Sequence, residues 1–291
     1  MSLMGRLIVI FISLNLLANC QSNRFRTLPK VDVTKPVKLA LVPEIGREER
    51  TQFHSRAVNR IYKDGRLLKK VEDVLDFQIE SEVLEVDPMA DRIEYRVRSR
   101  NKKGDGDLRE FAFPEPGEKL KIVMNSRTEV MEAGKYPKDS IFYVPTLPLP
   151  KYKVEKGDSW KMNAEWVTNT QKFPLKMEVV GILKEYRKCE NSHCAIIEIS
   201  GEVELNGVKD PQLKLDSEIK GYMVFSLARG SVIWSHVRSD QTFYIGNIRN
   251  VMNSCLTSYI KEPEVKLLLD QTVPYCGPED EIDWDSIPTK L

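Results

Sequence analysis

The residues of this 291-residue chain whose types could do chemistry are five cysteines and three histidines. Cys189 and Cys194 flank Glu190-Asn191-Ser192-His193, a polar loop between two strand-like runs. A hairpin there would hold the two sulfurs within bonding reach. Cys255 would then pair with Cys276 and tie the tail to the body. Four such cysteines allow three pairings, and buried free thiols packed as small hydrophobes are the alternative. A zinc site built on Cys189, His193 and Cys194 would offer at most three ligands and lacks the C-x-x-C spacing of structural zinc sites. His54 and His236 fall in strand patterns, and no two histidines share a metal-ligand spacing.

Two glycine-rich stretches complete the search. Gly157-Asp158-Ser159 resembles the Gly-Asp-Ser block of one esterase family, which needs a parallel α/β scaffold and an Asp three residues before a late His. Ile233 occupies the position three before His236. Ser159 is therefore expected in a turn, with Trp160 opening a strand. Gly104-Asp105-Gly106-Asp107 lacks the ligand spacing and distal Glu of an EF-hand, so it reads as a solvated loop. The chain has no G-x-S-x-G elbow, P-loop or dinucleotide fingerprint, and no carboxylate pair stands out for glycoside hydrolysis. The expectation is a non-enzyme with no catalytic residue, no metal and no cofactor.

The fifth cysteine, Cys20, follows Arg6 and the apolar run Leu7 to Leu17. One positive charge and about ten apolar residues fit a secretory signal, and the run falls short of the about 20 residues of a membrane-spanning helix. Leu17-Ala18-Asn19-Cys20 then resembles a bacterial lipobox of the relaxed, spirochaete type, with Asn19 where a strict box has Gly, Ala or Ser. The resemblance implies cleavage before Cys20, a diacylglyceryl group on its sulfur and an acylated amine. At about 0.8 kcal/mol per buried methylene, two or more chains hold a protein firmly where one does not. Gln21 is not the Asp that favours inner-membrane retention in enteric bacteria, so the resemblance implies an outer-membrane lipoprotein.

These groups must be positioned by a mainly β body. Forty-four Lys and Arg face 43 Asp and Glu, and apolar residues make up 41%. A neutral, ordinary globular composition gives no broad electrostatic reason to bind nucleic acid or anionic lipid, which leaves only local patches for either. Residues 49–150 alternate apolar and polar positions as a first lobe: 53–61, a turn at Lys63-Asp64-Gly65-Arg66, a long strand to Val83, and Ile93, Tyr95 and Val97. Helical spacing also fits Leu67 to Gln78, but alternation continues past it. Short strands are expected at 108–113 and 119–124. Proline at 145, 148 and 150 breaks the pattern. A second lobe, 151–262, is expected to hold strands near 160–168, 173–188, 194–205, 213–227, 231–246 and 251–260. Residues 20–48 read as the lipidated Cys and a tether, with a first strand at 37–42. Residues 1–19 are the signal peptide and 263–291 an acidic tail. The fold class is antiparallel long-strand sheets forming a sandwich or an open half-barrel, with two similar lobes.

The body resembles uncharacterised β-rich envelope lipoproteins with a Gly-Asp-Ser-Trp turn in mid-chain, which carry no defined activity. That implies a non-catalytic, lipid-anchored protein with an interaction or structural role. Its expected partner is the membrane, through the anchor, with an apolar ligand or a protein as further classes. The alternatives are a carrier of lipid in a half-barrel and a hydrolase with an unrecognised site. If Cys20 is the acylated amino terminus, Cys20→Ala leaves an unprocessed precursor on a blot. A variant of mature size that still partitions into detergent would overturn the reading.

Overall fold

The computed structural model describes residues 30–145, 149–168, 172–189, 192–261 and 276. The expected signal peptide, Cys20 and the acidic tail apart from Cys276 lie outside them. Twelve strands form one antiparallel sheet: β1 Lys30–Val31, β2 Glu48–Lys63, β3 Arg66–Asp87, β4 Arg92–Lys103, β5 Leu120–Met124, β6 Val130–Ala133, β7 Ser159–Val167, β8 Pro174–Cys189, β9 Ser192–Leu205, β10 Leu213–Ser226, β11 Ser231–Ile245 and β12 Ile248–Ile260. Their order is β1-β8-β9-β10-β11-β12-β2-β3-β4-β5-β6, with β7 also on β8. The sheet is not closed, as an open half-barrel requires. The expected mainly β class holds. The helical alternative at 67–78 does not, since β3 pairs with β2 from Lys63↔Arg66 to Glu48↔Glu82.

Alternation builds the inner face. Phe53 on β2, Phe77 on β3, Met223 on β10, Ile197 on β9 and Leu183 on β8 belong to one face by cross-strand register. Two apolar clusters fill that face. One packs Leu183, Ile197, Met223 and Phe225 with Trp160 and Leu39; the other packs Phe77, Ile79 and Leu120 with Leu108 and Phe142. Phe53 stacks on Phe77 with centroids 4.9 Å apart, and Phe113 tilts against both. Close backbone approach between β8 and β9 and between β10 and β11 relies on two glycines. An ideal Cβ at Gly201 would lie 2.3 Å from the Glu178 carbonyl oxygen, and one at Gly221 2.3 Å from that of His236. Only glycine permits backbones to approach so closely.

Irregular segments cover the open edges, which would otherwise template pairing with other chains. A 3₁₀ turn at Ile141–Tyr143 touches both β6 and β7. Beside it, Val167 N donates to Asp139 O at 2.7 Å and Ala133 N to the Tyr143 hydroxyl at 3.1 Å.

Three expectations are corrected. Residues 30–48 do not hang free as a tether: Lys30 and Val31 pair with Arg187 and Tyr186, and Leu39 is fully buried. The strand expected at 37–42 is a single bridge, Val37↔Val154, because Leu41 N and Val42 N donate to Ser126 O and Gly230 O instead of to one neighbouring strand. The strand expected at 108–113 is a 3₁₀ turn, Leu108–Phe111, capped by Asp107, whose carboxylate accepts from Arg109 N; Ala112 at φ 61° ends it. Arg109 holds the Asp107 carboxyl down at about 2.

Phe77→Ala should cost about 3–5 kcal/mol, read as a lower urea midpoint. Val74→Ala on the same strand, 53% exposed, should move it by no more than about 0.5 kcal/mol. Equal effects would place the Phe77 ring outside the core.

Candidate functional site

The chemistry-bearing residues meet on the outer face of the central strands. Register aligns a transverse row there: Asp76 on β3, His54 on β2, Thr257 on β12, His236 on β11, Tyr222 on β10 and Glu198 on β9. His54 Nδ1 bonds Asp76 Oδ1, and His236 Nδ1 lies 2.8 Å from Thr257 Oγ1. Two aromatic side chains of the adjoining row flank them: Tyr259 stacks on His54 at 5.8 Å and Trp234 on His236 at 6.3 Å. Trp234, Ile196, Val224 and Ile260 form a third apolar cluster with the disulfide sulfurs of Cys189 and Cys194.

Both pairs of cysteines are joined as disulfides with Cα atoms 5.7 Å apart, Cys189 to Cys194 across the β8–β9 hairpin and Cys255 to Cys276. His193 is exposed in that hairpin. The second disulfide sits on the transverse row. Cys276 Sγ is 3.8 Å from Thr257 Oγ1 and 3.9 Å from the His54 carbonyl oxygen, while Cys255 Sγ is 3.9 Å from His236 Nδ1. His236, Cys255 and Cys276 offer three ligand atoms within 4.8 Å of one another. With the sulfurs bonded to each other they are not thiolates, and thiolates are what bind zinc.

Thr257 is poorly placed to act as a nucleophile. Thr257, the hydroxyl beside His236, is fully buried in a strand paired on both sides, with His236 on β11 and His54 on β2. The backbone N–H groups beside it are spent in the ladder and offer an oxyanion no donor. Burial holds the His236 pKa down at about 4, so the ring is neutral at pH 7. Ser159 is not in the turn, as the sequence suggests, but opens β7 opposite Ile182, one residue earlier than expected; the turn lies at 156–157. Glu155 N donates to Asp158 Oδ2 at 2.9 Å, Gly157 adopts φ 96°, and Trp160 enters the core. In the Gly104–Asp107 loop, a Cβ at Gly104 would lie 2.1 Å from Val74 O, so this glycine lets the loop lie against β3.

A small pocket of about 50 Å³ opens between residues 41–47 and β2–β4, lined by Leu41, Val42, Arg47, Glu49 and Tyr95. Arg47 pairs with Glu49 and donates to Arg229 O at 2.9 Å. Burial, with Glu49 adding to it, pushes the Tyr95 hydroxyl up to about 12. The space suits a few waters rather than an acyl chain.

No protein-family model and no curated protein matches the chain. Solved structures with a similar arrangement include the hypothetical lipoprotein YmcC of Escherichia coli K12, 10% identical, with 72% of this chain and 84% of that one covered at a TM-score of 0.29. A candidate lipoprotein from Parabacteroides distasonis is 13% identical over 78% and 99% of the two chains, TM-score 0.29. A candidate exported protein with a YmcC-like fold from Bacteroides fragilis is 11% identical over 77% and 100%, TM-score 0.27. At these scores the likeness carries no functional argument.

The sequence reading took His54 and His236 for isolated strand residues, and the partners Asp76 and Thr257 were missed. A depressed histidine pKa stabilises the fold above the unfolded value of about 6.5 and loses that contribution as pH falls through about 4. Up to about 3 kcal/mol of stability should vanish between those pH values, and His236→Gln should flatten the decline. Urea melts at stepped pH measure it; parallel curves for both proteins would remove His236 as the cause.

Proposed function

We propose that the mature chain is a lipid-anchored envelope lipoprotein whose β body turns nothing over and acts through its surface. The observation that carries this reading is how the inner face is used. Phe77, Ile79 and Phe225 would line a carrier's cavity, yet they are 0, 6 and 1% exposed and packed among other side chains. Tyr95 borders the small pocket beside Arg47. The Leu17-Ala18-Asn19-Cys20 box supports the anchor, and acylation there would place the body at a membrane surface, the outer membrane by the Gln21 argument. On the outer face, a buried neutral histidine and a hydroxyl locked in a ladder support a structural role for the polar row.

A chain beginning at Gln21 keeps every described strand, since the sheet starts at Lys30. Incubated with ester, peptide and glycoside panels beside a heat-killed control, it should release no product. Extracted with organic solvent, it should yield no stoichiometric lipid. Activity that follows the folded protein and disappears with one Asp, Glu, Ser or His substitution would overturn the non-catalytic reading. Stoichiometric lipid would put a carrier in its place.

A further inference from the structure

Three hairpin tips lie side by side at one end of the sheet: β2–β3 at Lys63–Arg66, β11–β12 at Ile245–Ile248, and β9–β10 at 205–213. They are zipped into one rim. Asp64 N donates to Asn247 O at 3.3 Å, Asn247 Nδ2 donates to Asp64 Oδ1 at 2.9 Å, and Gly246 N donates to Gln212 O at 3.0 Å. Large aliphatic side chains crown this rim: Leu67 and Leu68 are 53 and 62% exposed, Ile245 and Ile248 42 and 37%. Leu68 has no cross-strand partner because β2 and β3 shift register there, with Tyr62↔Leu67 following Ile61↔Lys69.

Charge on the rim is one-sided. Residues 60–70, 205–214 and 243–250 contain eight Lys and Arg against two Asp, on a chain whose net charge is only +1. Lys63, Arg66, Lys69 and Lys70 are exposed around the leucines. The Arg249 guanidinium lies over the Tyr62 ring, 4.5 Å from its centroid, and Lys214 Nζ lies 5.7 Å from that of Tyr244. Aliphatic tips, tyrosines set back from them and basic side chains on flexible stems are the combination that seats in a bilayer interface. Anionic headgroups complement the charge.

We propose that this rim docks on a bilayer containing anionic phospholipid, a contact separate from any anchor at Cys20. Lys30 pairs with Arg187, thirteen residues along β8 from Pro174, whose carbonyl accepts from Asn206 N at the rim. The rim therefore lies about 40 Å from where the amino-terminal segment joins the sheet. A fluid lipid surface needs no complementary shape.

The chain beginning at Gln21, which carries no acyl group, is sedimented with vesicles of phosphatidylglycerol and phosphatidylethanolamine, and with phosphatidylcholine vesicles. Binding should require phosphatidylglycerol and weaken as salt shortens the screening length from about 10 Å towards about 3 Å. The double variant Leu67→Ser, Leu68→Ser should lower partitioning about tenfold or more, with an unchanged circular dichroism spectrum. No co-sedimentation, equal binding to phosphatidylcholine, or an unaffected double variant would each overturn the proposal. A dimer without lipid that the same variant abolishes would also overturn it, assigning the rim to a second copy of the chain. Because this chain lacks the anchor, none of these outcomes depends on whether Cys20 is acylated.

Discussion

Everything in this fold depends on the ladder between β12 and β2. Thirteen consecutive residue pairs, from Ile248↔Lys63 to Ile260↔Thr51, join the last strand described to the first long one across nearly two hundred residues of sequence. Without that ladder, β2–β6 and β7–β12 are two meanders, each with an unpaired long strand at its edge. With it, the two apolar clusters share one curved inner face, and the histidines of β2 and β11 fall in one row on either side of Thr257. The rim depends on it as well, since the β2–β3 and β11–β12 tips meet only because Lys63 faces Ile248. The Cys255–Cys276 link is attached to this same strand pair, Cys255 standing opposite Arg56. A disulfide lowers the entropy of the unfolded chain, and this one also holds a tail residue against the ladder.

Strands were legible in the sequence wherever one side of the chain met the core and the other met water. Between 53 and 61, around Ile93–Val97 and through the runs after 173, alternation alone located the elements because burial on a pleated sheet has period two. It failed where local chemistry overrode the pattern. Leu108, Phe111 and Phe113 look like part of a strand, yet Asp107 caps a 3₁₀ turn and Ala112 takes a left-handed conformation. Val37, Leu39 and Leu41 alternate too, but their segment crosses between loops and has no continuous partner strand. Composition cannot tell a buried crossing from a tether when Pro, Lys and Thr dominate both.

The polar row was illegible for a different reason. Which residue of β12 stands opposite His54 is a fact of long-range register, and no local spacing encodes it. Histidine, threonine and aspartate each have an ordinary explanation in an exposed strand. Only the pairing reveals that His236 is 1% exposed and bonded to Thr257. The cysteines were easier because their chemistry limits the answer: four besides Cys20, two of them at opposite ends of a hairpin, leave few arrangements.

Exposed aliphatics at hairpin tips have a simpler explanation that must be weighed against lipid contact. Charged residues beside apolar strand ends keep proteins from pairing edge to edge, and lysine is a common choice. Either sign of charge would serve that purpose. Here the signs are sorted: outside the three tip segments the chain holds thirty-six basic and forty-one acidic residues, while the tips hold eight and two. Solubility alone gives no reason to collect the basic excess where the leucines and isoleucines stand. Nor are these the apolar residues the core needed, since both clusters fill the inner face without Leu67, Leu68, Ile245 or Ile248. Strands that served only to close the core could have ended earlier. Their extension past the core, with the tips hydrogen-bonded to one another, points to a surface that the rim is built to meet.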